Sequence, residues 1–230
     1  MNPYRQAFVD VLHSLENAEL AAGRPRGVRL LAVSKTQPAE ALAALVALGQ
    51  QAFGENYVQE AQAKQAALAD AGIEWHLIGH LQSNKAREAA TAFDWVQTVD
   101  RIKLVEALAR HRPSGRAPLN VLVQVNIDDE ASKHGCRPAD VPLLARAIAV
   151  HPQLALRGLM AIPAPDPDMA RRRQAFARMK ALFDRLRADH AGVDTLSMGM
   201  SDDFALAIAE GATMVRVGTA LFGTRNAGRS

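Results

Sequence analysis

At 230 residues with 49% apolar side chains, the chain can bury one sizeable core at the upper end of a single domain, and a formal charge of only +3 gives no argument for a nucleic-acid partner. One cysteine, Cys136, excludes an internal disulfide and fits a reducing compartment. Residues 1–20 carry Arg5, Asp10, His13, Glu16 and Glu19, with neither the apolar stretch of a signal peptide nor the make-up of a membrane span, so a cytoplasmic protein of one domain over 1–230, away from membranes, is expected.

Val9, Leu12 and Leu15, with Phe8 and Val11 beside them, give a leading helix an apolar face. After a loop over 21–27, the run Val28–Ser34 reads as a buried strand. It ends in Ser34-Lys35-Thr36, and Pro38 opens a helix that Gly49 stops. Gln51–Gly54 is a short strand, Tyr57–Ala71 a helix, Trp75–Ile78 a third strand and Lys85–Ala92 a helix. Trp95–Val99 follows as a strand, with Asp100 placed to cap the helix Arg101–His111. Leu119–Val125 is the clearest strand, followed by a polar loop, Asp129–Arg137, and a helix from Pro138 to Val150. Leu154–Met160 is strand six, closed by the Pro-rich loop Pro163–Pro167. The long basic helix from about Asp168 to His190 has Phe176, Met179, Phe183 and Leu186 as its apolar stripe. Its arginines 171, 172, 173 and 178 read as a solvated face. Thr195–Met198 is strand seven, Asp202–Gly211 a short helix, and Thr213–Val217 strand eight, before Gly218-Thr219 and the tail Leu221-Phe222-Gly223.

Eight strands alternating with helices, in a chain of this length, predict a single (β/α)8 TIM barrel with an extra N-terminal helix. A doubly wound sheet is the runner-up. It would use fewer strands or show a Gly-rich dinucleotide turn, and the chain has neither Gly-x-Gly-x-x-Gly nor a phosphate-loop motif.

In a barrel the strands' C-terminal ends meet at one mouth, where active sites sit. Those ends here are Lys35, Asn56, His80, Asp100, Asn126, Met160, Ser201 and Thr219. Each has a bland alternative: Lys35 as a strand-end lysine reaching solvent, Asp100 as a helix cap, Asn126 as a turn former. Their convergence favours chemistry. A desolvated lysine amine is a nucleophile suited to an aldehyde. The loops after strands seven and eight frequently bind phosphate through backbone N–H groups. Gly199 and Gly218 would let backbone approach an anion, and Ser201 and Thr219 add hydroxyls, while Asp202 and Asp203 oppose an anion unless they turn away. Arg216 shares a strand face with Met214 and Gly218, opposite Val215 and Val217, so it should point into the barrel and need an acceptor there, a pyridine nitrogen or a carboxylate. Lysine, phosphate cup and arginine together describe a pyridoxal 5′-phosphate (PLP) site. An arginine only donates, so it would face an unprotonated pyridine nitrogen, making the ring a weak electron sink suited to binding more than to carbanion chemistry.

The segments Ala32–Thr36, Phe53–Glu60, Trp75–Lys85, Ser197–Phe204 and Val215–Gly223 are similar to the pyridoxal phosphate homeostasis protein family, barrel proteins related to the N-terminal domain of alanine racemase. The resemblance covers nearly the whole chain. It implies that Lys35 carries PLP as an internal aldimine, that Ser201, Gly218 and Thr219 hold the phosphate, that Arg216 faces the pyridine nitrogen, and that Asn56 and His80 lie near the ring. Tyr57 departs from the family's usual Arg after Glu-Asn, so ring-side contacts or entry differ there.

The role implied is intracellular PLP and amino-acid homeostasis without established catalysis, with PLP-dependent apo-enzymes as candidate receivers and a monomer expected. A PLP-dependent amino-acid racemase is the alternative. It needs a second proton-transfer group on the opposite face of the substrate. In alanine racemase that group is a tyrosine from a further domain, and the tyrosines here are Tyr4 and Tyr57. A class I aldolase-like barrel using Lys35 is a third reading, by analogy of fold alone.

Overall fold

The computed structural model describes residues 2–130, 133–164 and 166–223, so parts of the predicted loops Asp129–Arg137 and Pro163–Pro167 lie outside the described residues. Eight parallel strands close on themselves in chain order. They are β1 (Arg29–Val33), β2 (Ala52–Glu55), β3 (Glu74–Leu77), β4 (Trp95–Val99), β5 (Leu119–Gln124), β6 (Leu154–Met160), β7 (Thr195–Met200) and β8 (Met214–Val217). Helices follow the strands: α2 (Ala39–Val46), α3 (Val58–Ala67), α4 (Ala86–Ala92), α5 (Ile102–His111), α6 (Val141–Ala149), α7 (Met169–Asp189), α8 (Phe204–Ala209) and α9 (Thr219–Phe222), with α1 (Arg5–Ala21) before the first strand. The fold is the expected (β/α)8 barrel. Among the described residues no helix is long and apolar enough to cross a membrane.

Most of the core is the shell between sheet and helices, where residues such as Val96, Val121, Val215 and Val217 meet Leu42, Leu104, Phe176 and Ile208. The lumen holds two small apolar clusters, Leu31 with Ala52 and Met214, and Trp95 with Leu122 and Met160. The α7 stripe Phe176, Met179, Phe183 and Leu186 is buried as its spacing predicts.

Three local expectations are corrected. The buried face of α1 is Phe8, Val11, Leu15 and Ala18, while Val9 and Leu12 are exposed. The stripe from Phe8 stays apolar for three turns, whereas the one from Val9 runs into Glu16, which pairs with Arg26 in solvent. Asp100 does not cap α5; its carboxylate pairs with Arg101 at 2.5 Å, and Arg101 is the N-cap residue with no side-chain cap bond. Pro38 precedes α2 in extended conformation (ψ 158°) instead of opening it as a helical residue.

Candidate functional site

At the C-terminal ends of the strands lies a cavity of about 280 Å³, lined by Lys35, Asn56, Ser201, Arg216, Gly218 and Thr219 together with Val33, Ile78, Ile162, Met200 and Asp202. That volume is near the lower end for ligand pockets, roughly 300 Å³ and up.

Lys35 stands one residue beyond the β1 ladder, which Ser34 N–H extends to the Gly54 carbonyl at 3.0 Å. Parallel neighbours in register face the same side, and Leu31 pairs with Arg216, so Leu31, Val33 and Lys35 all point inward. The Lys35 amine is half-buried and, among the described residues, takes part in no hydrogen bond or ion pair. Its backbone is held instead. Gln37 N–H closes a tight turn on the Ser34 carbonyl at 3.0 Å, and Thr36 inside that turn has φ 65°. Thr36 N–H donates to Glu60 at 2.5 Å. On the outer face of the sheet Lys64 of α3 is buried and donates to the Ser34 carbonyl, Glu55 and Glu60, each at 2.7 Å. Ser34 Oγ donates to the same Glu55 oxygen at 2.5 Å. The other oxygen, Glu55 Oε2, is buried with no hydrogen-bond partner among the described residues. Burial pushes the Glu55 carboxyl above the usual carboxylate range, with the Lys64 and Ser34 bonds working against that rise.

Arg216 points into the barrel as its strand alternation predicts, and is 3% exposed. Nη1 donates to Ser197 Oγ and Nη2 to the Ala161 carbonyl, both at 2.8 Å. Those bonds use two of a guanidinium's five N–H donors. Burial pushes its pKa down to about 10, Asp203 opposing, so it stays charged at neutral pH.

Between β7 and α8, Asp203 turns its carboxylate back to accept from Met200 N–H at 2.7 Å, while Asp202 is exposed on the cavity rim. Gly199 has φ 91°, and a Cβ there would sit 2.6 Å from Ala207 Cβ, so glycine lets β7 end against α8. The Gly218 carbonyl accepts from Leu221 and Phe222 N–H, while the N–H groups of Thr219 and Ala220 have no backbone acceptor among the described residues. A Cβ on Gly218 would meet the Val33 carbonyl at 3.3 Å, so the β8 end also packs closely on β1.

Asn56 lines the cavity beside Lys35, and Gly79 makes room for it: a Cβ on Gly79 would lie 2.1 Å from the Asn56 carbonyl oxygen. His80 is not brought to the Lys35 cavity. It faces an adjoining groove that Asn56 shares, with Tyr57, Gln82 and Lys85. Its exposed ring stacks on His134 with centroids 3.8 Å apart, and slight burial and then His134 lower its pKa. Asn126 is a turn former, donating to the Glu130 carbonyl at 2.8 Å. Neither Tyr57, which is exposed, nor Tyr4, packed edge-on against Phe222, lines the cavity.

The sequence reading missed the groups that hold the two cations: Glu55, Glu60 and Lys64 behind Lys35, and Ser197 behind Arg216. The signal for Ser197 is a polar residue at a buried strand position; the Glu60–Lys64 pair is a helical i,i+4 spacing. It also missed the apolar wall of Val33, Ile78, Ile162 and Met200.

The alanine racemase N-terminal domain family matches residues 9–226. A Pseudomonas aeruginosa protein named pyridoxal phosphate homeostasis protein is 52% identical over 229 residues, covering 99% of this chain and 98% of that one. The solved structure of PipY from Synechococcus elongatus with PLP bound superposes with a TM-score of 0.77 at 41% identity, over 90% of this chain and 97% of that one. Alanine racemase from Corynebacterium glutamicum shares the fold at 19% identity and a TM-score of 0.63, with 95% of this chain matching 61% of that one.

Proposed function

The chain belongs to the pyridoxal phosphate homeostasis protein family, and from that premise we propose that its mouth cavity binds PLP and that the protein serves PLP and amino-acid homeostasis as a carrier or regulator, without turnover of its own. The observation that carries this is the meeting of six residues singled out from the sequence, Lys35, Asn56, Ser201, Arg216, Gly218 and Thr219, around one cavity.

The residues fit the group. The Arg216 guanidinium is buried with N–H donors left over beyond its two protein bonds, which calls for an acceptor on the cavity side. Lys35 presents an amine without a hydrogen-bond or ion-pair partner among the described residues. Ser201 and Thr219 offer hydroxyls, and the Thr219 and Ala220 N–H groups offer backbone donors for an anion. Bound PLP supplies an aldehyde that captures amines and a ring that withdraws electrons. In this assignment Lys35 holds the aldehyde carbon, Ser201, Gly218 and Thr219 the phosphate, and Arg216 donates to the ring nitrogen. Asn56 flanks the ring. His80 acts from the adjoining groove at the rim. Asp202 stays on the solvent side.

The remainder of the proposal is a cytoplasmic monomer, one domain over 1–230, that passes PLP to apo-enzymes and engages neither nucleic acid nor membrane. The test is uptake of PLP by purified protein, read from the near-visible absorption of lysine-bound cofactor, with borohydride reduction and mass spectrometry to locate the modified residue. Lys35→Ala should abolish the band after dialysis; a variant that keeps it places the cofactor on another lysine.

A further inference from the structure

His76, Gln97 and Ser197 are fully buried in the middle of β3, β4 and β7. Barrel lumens are ordinarily filled with branched apolar side chains, and three polar groups there are costly unless all are paired. They are paired with one another. Arg216 Nη1 donates to Ser197 Oγ at 2.8 Å, and Ser197 Oγ donates to Gln97 Oε1 at 2.7 Å. Gln97 Nε2 lies 3.0 Å from His76 Nδ1, and His76 Nε2 lies 2.7 Å from Glu74 Oε1. Arg29 donates to the same Glu74 oxygen at 2.6 Å. Strands β4 and β7 are not neighbours, so the Gln97–Ser197 bond crosses the lumen. The chain joins the mouth cavity to the start of β3.

Its two ends fix the direction of every bond between them. A guanidinium only donates, and an ionised carboxylate only accepts. Arg29 keeps Glu74 ionised, so His76 must carry its proton on Nε2 and present a bare Nδ1. That nitrogen takes the Gln97 amide N–H, which turns Gln97 Oε1 to the Ser197 hydroxyl proton. Ser197 Oγ is then left as an acceptor for Arg216. The reverse amide orientation would need His76 Nδ1–H, and a ring protonated there as well as on Nε2 is a buried cation.

We infer that His76, Gln97 and Ser197 are positioning residues for the cofactor: as a one-directional relay they hold Arg216 as a donor aimed at the ring nitrogen and so keep that nitrogen an acceptor. The inference rests on the PLP reading of the cavity. Breaking the relay at Gln97 leaves the Ser197 proton without its acceptor, and the hydroxyl no longer presents a fixed lone pair to the guanidinium.

The apo protein gives the first test. Nitrogen-15 spectra of the His76 ring should show Nε2 protonated and Nδ1 bare at neutral pH; a protonated Nδ1 in the folded protein overturns the relay. The second titrates PLP into the parent, Gln97→Leu, Ser197→Ala and Ser197→Thr, with borohydride trapping at Lys35. Gln97→Leu and Ser197→Ala should still form the Lys35 adduct, bind PLP about tenfold more weakly, and shift its absorption band. Ser197→Thr, which keeps the hydroxyl, should restore both. Parent-like affinity and band in folded Gln97→Leu or Ser197→Ala overturns the inference, and if Gln97→Leu does not fold, the Ser197 pair decides it. A parent that forms no Lys35 adduct refutes the cofactor reading instead, a result distinct from either of these.

Discussion

Lys35 and Arg216 are the two cations of one cavity, and the barrel holds them in opposite ways. Arg216 is fixed by its side chain, through neutral groups inside the lumen. Lys35 is fixed by its backbone, through an ionic cluster outside the sheet, and its side chain has no polar partner among the described residues. The difference fits the roles proposed for the two groups. An amine that is to capture an aldehyde must shed its proton, and a carboxylate beside it would hold it as the ammonium. A guanidinium that only donates loses nothing by being hydrogen-bonded from behind. Ionic clamping tolerates burial only where the charges are matched, and the Lys64 cluster lies between strand and helix, away from the ligand.

The most severe way to break this arrangement is on the Lys35 side. Lys64→Met leaves Glu55 buried beside Ser34 with no cation, and removing one partner of a buried pair costs about 3–5 kcal/mol. The midpoint of urea unfolding should fall accordingly. Glu55→Gln should be milder, because the amide oxygen still accepts from Lys64 and Ser34 while a carboxylate that burial disfavours is removed. A Lys64→Met protein within about 1 kcal/mol of the parent would show that the cluster does not hold the strand end.

The two regions should also respond to pH with opposite sign. His76 is pushed below its usual value by burial, against the pull of Glu74 and Asp94 and with Arg29 nearby. As pH falls below about 6.5, the unfolded ring takes up a proton that the folded ring refuses, so stability drops with acid. Glu55 is raised by burial: above its unfolded value near 4.5 the unfolded carboxyl releases its proton while the folded one keeps it, so its contribution is lost as pH rises through the folded pKa. Glu74 is subject to burial that would raise it, but His76 and Arg29 bring it down to about 2, so its own loss begins only in stronger acid. Melting curves between pH 4.5 and 8 should therefore lose part of their acid-side drop in His76→Gln, while Glu55→Gln loses the opposing fall and climbs more steeply as pH rises from 4.5. A His76→Gln profile parallel to the parent's would mean that the ring is charged in the folded protein.

The contrast also marks what could be read beforehand. Continuous apolar runs such as Leu119–Val125 announce parallel strands because both faces are covered, and eight of them close a barrel. Arg216 was legible because its strand alternates around two valines. Lys35 was not, because Leu31 and Val33 say nothing about facing until the Leu31–Arg216 register ties them to β8. His76, Gln97 and Ser197 stand out as polar residues within apolar strands, but their partners lie across a lumen, up to 100 residues apart in the chain. Glu55 and Lys64 are nine apart on different elements, a spacing that no helical or strand period brings together. His80 lies in a matching segment yet faces the adjoining groove, because Gly79 lets the β3 end fold in against Asn56.

The smallest effect is also the finest probe of the backbone clamp. Thr36 is a β-branched residue at φ 65°, a conformation costing of order 1–3 kcal/mol. It is held there by the Glu60 bond to its N–H and by the Gln37–Ser34 turn bond. Thr36→Gly removes the strain and restores chain entropy to the unfolded state, worth roughly 0.5–1 kcal/mol the other way. The net expectation is a gain of about 0–2.5 kcal/mol, a few degrees in melting temperature. The useful measurement is the pair Thr36→Gly and Thr36→Ala. Alanine still suffers the positive φ, so only glycine should stabilise. If both raise the melting temperature equally, Thr36 carries no backbone strain, and the clamp around Lys35 serves only to satisfy its own buried charges.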